Sequence, residues 1–278
     1  MSFRIKIAIA ALLLSLTVLA SWTNSDALYG FYLRTWHKTV RGESSFTALA
    51  EAQRKRELFR KEQEKISGSA ARKEHEEEFA GSFSRDLTRS LLIYAPLSAP
   101  SDALSEDDKE LCRYAGSWFI EQGDTIRGCG LILRTVGREV ARDEIVPFTQ
   151  ALDVMFREKM YSDIVAEVSS RVFSSDDERY PLRVGVYLRY GISLYHQKRF
   201  KEALSQLRSA ESAGEGESDL YYYIAETFRS MNQTAEAVPY AEKALSLSPK
   251  DRRYRALLVA VYNAEGRRKD AERASRSY

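Results

Sequence analysis

The sequence predicts an all-α chain: antiparallel helix pairs stacked side by side, preceded by an apolar N-terminal helix and a charged helical arm. Three observations carry this. From Phe83 onward, apolar residues recur at spacings of three and four. No stretch alternates apolar and polar residues for long enough to argue a strand. A pattern of small and large residues then returns every 34 residues through the last third of the chain. Six prolines in 278 residues suit a mostly helical chain. The net charge of +2 gives no general pull towards nucleic acid, which is not expected as a partner.

Residues 1–25 read as a signal peptide or a membrane anchor. Arg4 and Lys6 precede 19 uncharged residues, Ile7 to Ser25, of which the densely apolar part, Ile7 to Ala20, is 14 long. That length fits the core of a secretory signal better than a spanning helix of about 20 apolar residues. Val18 and Ala20 suit a cleavage site, whereas Trp22 suits an interfacial anchor. Arg34, Lys38 and Arg41 oppose the orientation that Arg4 and Lys6 favour. Either way the chain is expected to be membrane-anchored or exported, with most of it outside the cytoplasm, the bacterial periplasm being favoured.

Residues 26–95 form the charged arm. Ten of the sixteen residues 51–66 are charged. Glu51 precedes Lys55 by four and Glu57 precedes Lys61 by four, the spacing of helix-stabilising pairs. A heptad begun on Phe46 and Leu49 meets Gln53 and Arg56, so a coiled coil is excluded. A solvated spacer helix is expected, continued through "RKEHEEEFAGS". Phe83, Leu87, Leu91 and Tyr94 then mark one face of a helix stopped by Pro96.

"APLSAPSDALS" gives a linker at 96–104. A helical hairpin follows at 105–144. Ser105 and Asp108 form a capping pattern before Leu111, Tyr114, Ala115, Trp118 and Phe119. "EQGD" breaks that helix, and a second is expected to carry Ile126, Cys129, Leu133, Val136 and Val140 on one face. The two cysteines, Cys112 and Cys129, admit one disulfide in an exported chain, or two buried thiols on helix faces.

The repeats occupy 145–278. A shift of 34 carries Gly191 onto Ala225, Leu194 onto Phe228, Lys198 onto Asn232 and Ala203 onto Ala237. A second shift carries these onto Val259, Tyr262, Gly266 and Ala271. Pro249 closes the middle unit, and Pro239 inside its second helix is expected to kink it. This pattern resembles the tetratricopeptide repeat, in which small residues at positions 8, 20 and 27 and a large one at 11 pack two helices together. The resemblance covers 184–217, 218–251 and 252–278. A shift of 39 back from the first, matching Lys198 with Lys159 and Leu194 with Met155, adds a degenerate repeat at 145–179. It implies a right-handed solenoid, because one such pair cannot bury its apolar face alone.

No nucleotide loop, HExxH or GxSxG motif occurs, and Cys129 between two glycines has no legible catalytic partner. No enzyme, cofactor or metal is expected. The resemblance implies instead a concave groove lined by the first helix of each repeat, here Leu188, Ile192 and Tyr195, then Tyr222, Tyr223, Glu226 and Arg229, then Arg253 and Asn263. Only Arg253 matches the family's carboxylate clamp, so that clamp is not expected. A protein partner, presented as a peptide or helix, suits this lining. The last repeat stops at its position 27, which leaves self-association through that end as the alternative role.

Overall fold

The computed structural model describes residues 44–95, 104–141, 143–173, 181–214 and 216–276. The expected N-terminal signal or anchor, the start of the arm and nearly all of the 96–104 linker lie outside these residues. Two compact units divide the chain, Met1–Gly137 and Arg138–Tyr278.

In the first unit, α1 (Ser45–Gln63) and α2 (Ser69–Tyr94) are separate helices. This corrects the expectation of one continued spacer. Gly68, at φ +106°, takes a conformation that a side chain disfavours, and the chain reverses there. Lys55 then reaches Asp86 at 2.8 Å, and the Phe59 and Phe79 rings stack at 3.9 Å. The expected pairs Glu51–Lys55 and Glu57–Lys61 do form, at 3.2 and 2.7 Å. Phe83, Leu87, Leu91 and Tyr94 are all buried. They share a core with Leu49, Leu111, Ala115 and Trp118, so the arm and the hairpin after it are packed together. Full burial of Phe83 stabilises this core by about 2–3 kcal/mol.

The hairpin is α3 (Glu106–Glu121) and α4 (Thr125–Leu133). Ser105 and Asp108 form the expected reciprocal cap. The two helices meet through glycines: a Cβ on Gly116 would lie 2.8 Å from the Gly128 carbonyl, and one on Gly128 would lie 2.6 Å from the Gly116 carbonyl. This contact fixes which face of α4 points inward. Ile126, two residues from Gly128 and so about 200° around the helix, is 74% exposed rather than packed. The helix also ends at Leu133, before Val136 and Val140.

Among the described residues no disulfide forms: Cys112 and Cys129 are both buried thiols. Cys112 sits in the shared core with Leu111 and Ala115, a cluster that does not include Cys129.

The second unit opens with β1 (Glu139–Val140), which pairs in parallel with β2 (Val172–Phe173). Two residues are too few to show as alternation, so no strand is legible there from periodicity. Four helix pairs make up the rest. They are α5 (Ile145–Arg157) with α6 (Tyr161–Ser169), α7 (Pro181–His196) with α8 (Phe200–Ser212), α9 (Ser218–Ser230) with α10 (Thr234–Leu247), and α11 (Arg252–Ala264) with α12 (Arg268–Arg276). Ala203, Ala210, Ala225, Ala237 and Ala244, the expected small positions, are completely buried. Helix α10 runs unbroken through Pro239.

One bend is repeated in both units. Gly123, Lys159, Lys198, Asn232 and Gly266 each have φ between +58° and +84°. The next residue donates its N–H to a carbonyl five residues back: Asp124 to Phe119, Met160 to Met155, Arg199 to Leu194, Gln233 to Phe228 and Arg267 to Tyr262, all at 2.8–3.0 Å. This is the left-handed helix end that satisfies orphan carbonyls. Each accepting residue is the large, buried one of its pair. Relative to the bend, Gly116, Phe119 and Gly128 occupy the places of Gly191, Leu194 and Ala203. The 105–137 hairpin is therefore built as the later repeats are.

Candidate partner-binding surface

Helices α7, α9 and α11 present the residues that the sequence singles out. Two of them are withdrawn from any open surface. Leu188 and Ile192 are 8% and 3% exposed and belong to the core that joins the second, third and fourth pairs. Both share their core with Leu207 of α8 and with Leu220 and Ile224 of α9, which leaves them no open surface.

The remaining residues form one aromatic strip. Tyr195 meets Tyr223 at 5.5 Å between ring centres, Tyr223 meets Tyr222 at 5.1 Å, and Tyr222 meets Tyr254 at 5.3 Å. The strip extends the other way through His196, which stacks on Tyr161 at 4.0 Å. Edge-to-face and tilted pairs of this kind contribute about 0.5–1.5 kcal/mol each beyond burial. The rings of Tyr195, Tyr222 and Tyr223 are half-buried, so each packs between repeats and still offers surface.

The charges along the strip are matched internally. Glu226, only 8% exposed, accepts from Arg229 at 2.6 and 3.0 Å and from the Tyr195 hydroxyl at 3.4 Å. Arg253 pairs with Asp251 at 2.8 Å and with Asp219 at 3.4 Å. Its guanidinium also lies 5.8 Å from the centre of the Tyr222 ring and 5.2 Å from that of Tyr254, within cation–π range. The Tyr254 hydroxyl donates to Asp219 at 2.7 Å. Asn263 is exposed near the end of α11, and its carbonyl accepts from Gly266 in the bend.

Burial governs the titration of these groups. It pushes Tyr222 up to about 12, with the Glu226 carboxylate adding to the effect. It raises Tyr223 as well, helped by Tyr161 and Tyr222. Both hydroxyls therefore stay protonated at neutral pH and are available as hydrogen-bond donors. Burial lowers His196, and the nearby Lys159 lowers it further. Both effects favour the neutral ring.

Tyr161 and Tyr254 are the members that sequence reasoning did not place in the site. A signal existed for the first. Tyr161 is the counterpart of Phe200 under the shift of 39, and both open the second helix of a pair. Among the described residues no group of side chains is arranged to hold a metal ion.

No family model matches the chain, and no curated protein matches it. Solved structures do. One, a crystal structure of MamA protein, shares 15% identity with a TM-score of 0.50, over 60% of this chain and 87% of that one. Another, the MamA RS-1 ArsTM double mutant, shares 17% identity with a TM-score of 0.50, over 60% of this chain and 89% of that one. The fold is of the tetratricopeptide type. At these identities the likeness is one of fold, and it agrees with the 34-residue period, the small residues at the crossings and the repeated bend. Among the described residues no helix is long and apolar enough to cross a membrane.

Proposed function

We propose that this chain is a non-catalytic protein-interaction scaffold whose repeats hold a peptide or helix of a partner across α7, α9 and α11. The observation that carries this is the continuous strip from Tyr161 to Tyr254 with Arg253 over its end. Half-buried tyrosines supply large contact area at small entropic cost, and their hydroxyls donate to backbone carbonyls of a bound segment. Internal pairing of Arg229 and Arg253 means that a bound segment need not bring charge to neutralise them. In this reading residues 1–25 hold the chain at a membrane or direct its export, and the repeats act outside the cytoplasm.

The test is retention of partners from native membrane and soluble extracts by the immobilised full chain, beside a Tyr222→Ala, Arg253→Ala variant. A partner held by the parent and lost by the variant, with helical content unchanged, supports the scaffold. Retention that ignores both substitutions rejects this surface. Concentration-dependent mass in light scattering with no retained partner favours self-assembly instead.

A further inference from the structure

Most polar groups on the aromatic strip are already committed. The Tyr195 hydroxyl donates to Glu226 at 3.4 Å, and the Tyr254 hydroxyl donates to Asp219 at 2.7 Å. Glu226 is held by Arg229, and Asp219 and Asp251 are both held by Arg253. Tyr222 and Tyr223 differ. Their rings are half-buried, yet among the described residues their hydroxyls make no hydrogen bond, and neither oxygen is enclosed. Burial of the rings keeps both hydroxyls protonated at neutral pH. Two neighbouring donors, on rings whose centres are 5.1 Å apart, therefore stand open on an aromatic surface whose arginines are each paired with a carboxylate.

Resting on the scaffold reading above, we propose that the segment held on this surface is uncharged, rich in proline and in the polyproline II conformation. An α-helix spends its carbonyls on its own N–H groups, so its backbone offers the two hydroxyls nothing. A β-strand brings N–H groups together with its carbonyls. Each N–H laid on the rings would lose water without gaining an acceptor, because the strip lies on helices whose carbonyls are already used. A polyproline II chain has no internal hydrogen bonds, so its carbonyls are free to accept from Tyr222 and Tyr223. Its prolines carry no N–H to leave unsatisfied, and their rings lay apolar surface on the tyrosines. Its conformation is set before binding, which lowers the entropic cost. The paired arginines require no charge on the segment: an acidic residue would have to displace Glu226, only 8% exposed, from Arg229, or Asp251 from Arg253.

Fluorescence anisotropy of labelled, end-capped peptides titrated with the full chain in nonionic micelles tests this. The probes repeat X-Pro-Pro, with X alanine, leucine, glutamine or tyrosine; matched sets replace both prolines by alanine, which favours a helix, or by valine, which favours a strand. The expected result is a proline peptide bound at least about tenfold more tightly than its alanine and valine counterparts. Tyr222→Phe and Tyr223→Phe, which keep the rings and remove the donors, should each weaken that binding about three- to tenfold. Tyr240→Phe, on α10 outside the strip, should leave it unchanged. Equal or tighter binding of the alanine or valine peptides would overturn the inference, and so would proline binding that ignores both strip substitutions. Binding of no peptide would overturn it too; a partner from extracts that the Tyr222→Ala, Arg253→Ala variant still loses would then leave the scaffold standing without it. Thermal melts by circular dichroism accompany the variants, and if Tyr223→Phe melts earlier than the parent, Tyr222→Phe decides.

Discussion

Gly191 and Leu207 hold α7 and α8 together at a distance no side chain would permit: a Cβ on Gly191 would lie 2.8 Å from Leu207 Cγ and 2.9 Å from Cδ2. In most helix interiors replacing glycine by alanine stabilises by up to about 1 kcal/mol. Here the sign reverses, because Leu207 is fully buried and its backbone nitrogen lies 3.2 Å from the same point. Gly191→Ala should destabilise the second unit by about 1–3 kcal/mol. Urea denaturation followed by circular dichroism measures this, and a stabilised variant would refute the close crossing.

The bend at Lys198 carries a cost that its counterpart at Gly266 avoids. A lysine at φ +62° is strained relative to glycine by about 1 kcal/mol. Lys198→Gly should therefore raise the urea midpoint, by an amount worth about 0.5–1 kcal/mol. Gly266→Ala should lower it comparably. Equal effects of either sign at both sites would mean that the bend is not left-handed.

Arg229 and Glu226 form the most enclosed ion pair on the aromatic strip. Arg229→Ala leaves a nearly buried carboxylate with only the long Tyr195 contact, and should cost about 2 kcal/mol or more. Adding Glu226→Gln should recover much of that loss, since the neutral amide needs no counter-charge. A double-mutant cycle by thermal or urea unfolding measures the coupling; purely additive losses would place the pair in free solvent.

The stacked pair His196 and Tyr161 ties stability to pH. The folded state holds the imidazole below its ordinary value, so the unfolded chain binds the proton more readily. The contribution is complete above the unfolded value, about 6.5, and is lost as pH falls through the lower folded value. His196→Gln should flatten the decline in stability between about pH 7 and 5, measured by unfolding at fixed temperature. An unchanged slope would remove His196 as its source.

Cys112 should resist thiol reagents. Burial pushes its thiol up to about 11, so almost no thiolate exists at pH 8 in the folded chain. Its labelling by a disulfide reagent should follow the unfolding rate, with Cys112→Ser as the reference. Instant labelling in native buffer would contradict its place beside Leu111 and Ala115.

Much of this fold was legible along the chain because its repeats are local. Two helices and a bend recur within 34 residues, and the same physical demands fall on the same positions: a small residue at the crossing, a large one before the bend, and a residue tolerant of positive φ. Shifts of 34 and 39 therefore located Lys159, Lys198, Asn232 and Gly266 before any coordinates. The same test at a shift of 75 would have exposed Gly116, Phe119, Gly123 and Gly128 as a fifth pair, but the intervening repeat, with Leu152 and Ile164 in the small positions, obscured it.

Only the tertiary structure decided which apolar residues remain accessible. Leu188, Ile192 and Tyr195 lie within about 60° of one another on one helix face, yet the first two are buried in the core shared with α8 and α9 and the third, near the end of α7, joins the strip. The same holds for Ile126, turned outward by the Gly116–Gly128 contact. The return of α2 along α1 was hidden too, since charged helices that fold back and charged helices that run straight carry the same local pattern. Sequence periodicity states that a helix has an apolar face; what that face meets depends on contacts made far along the chain.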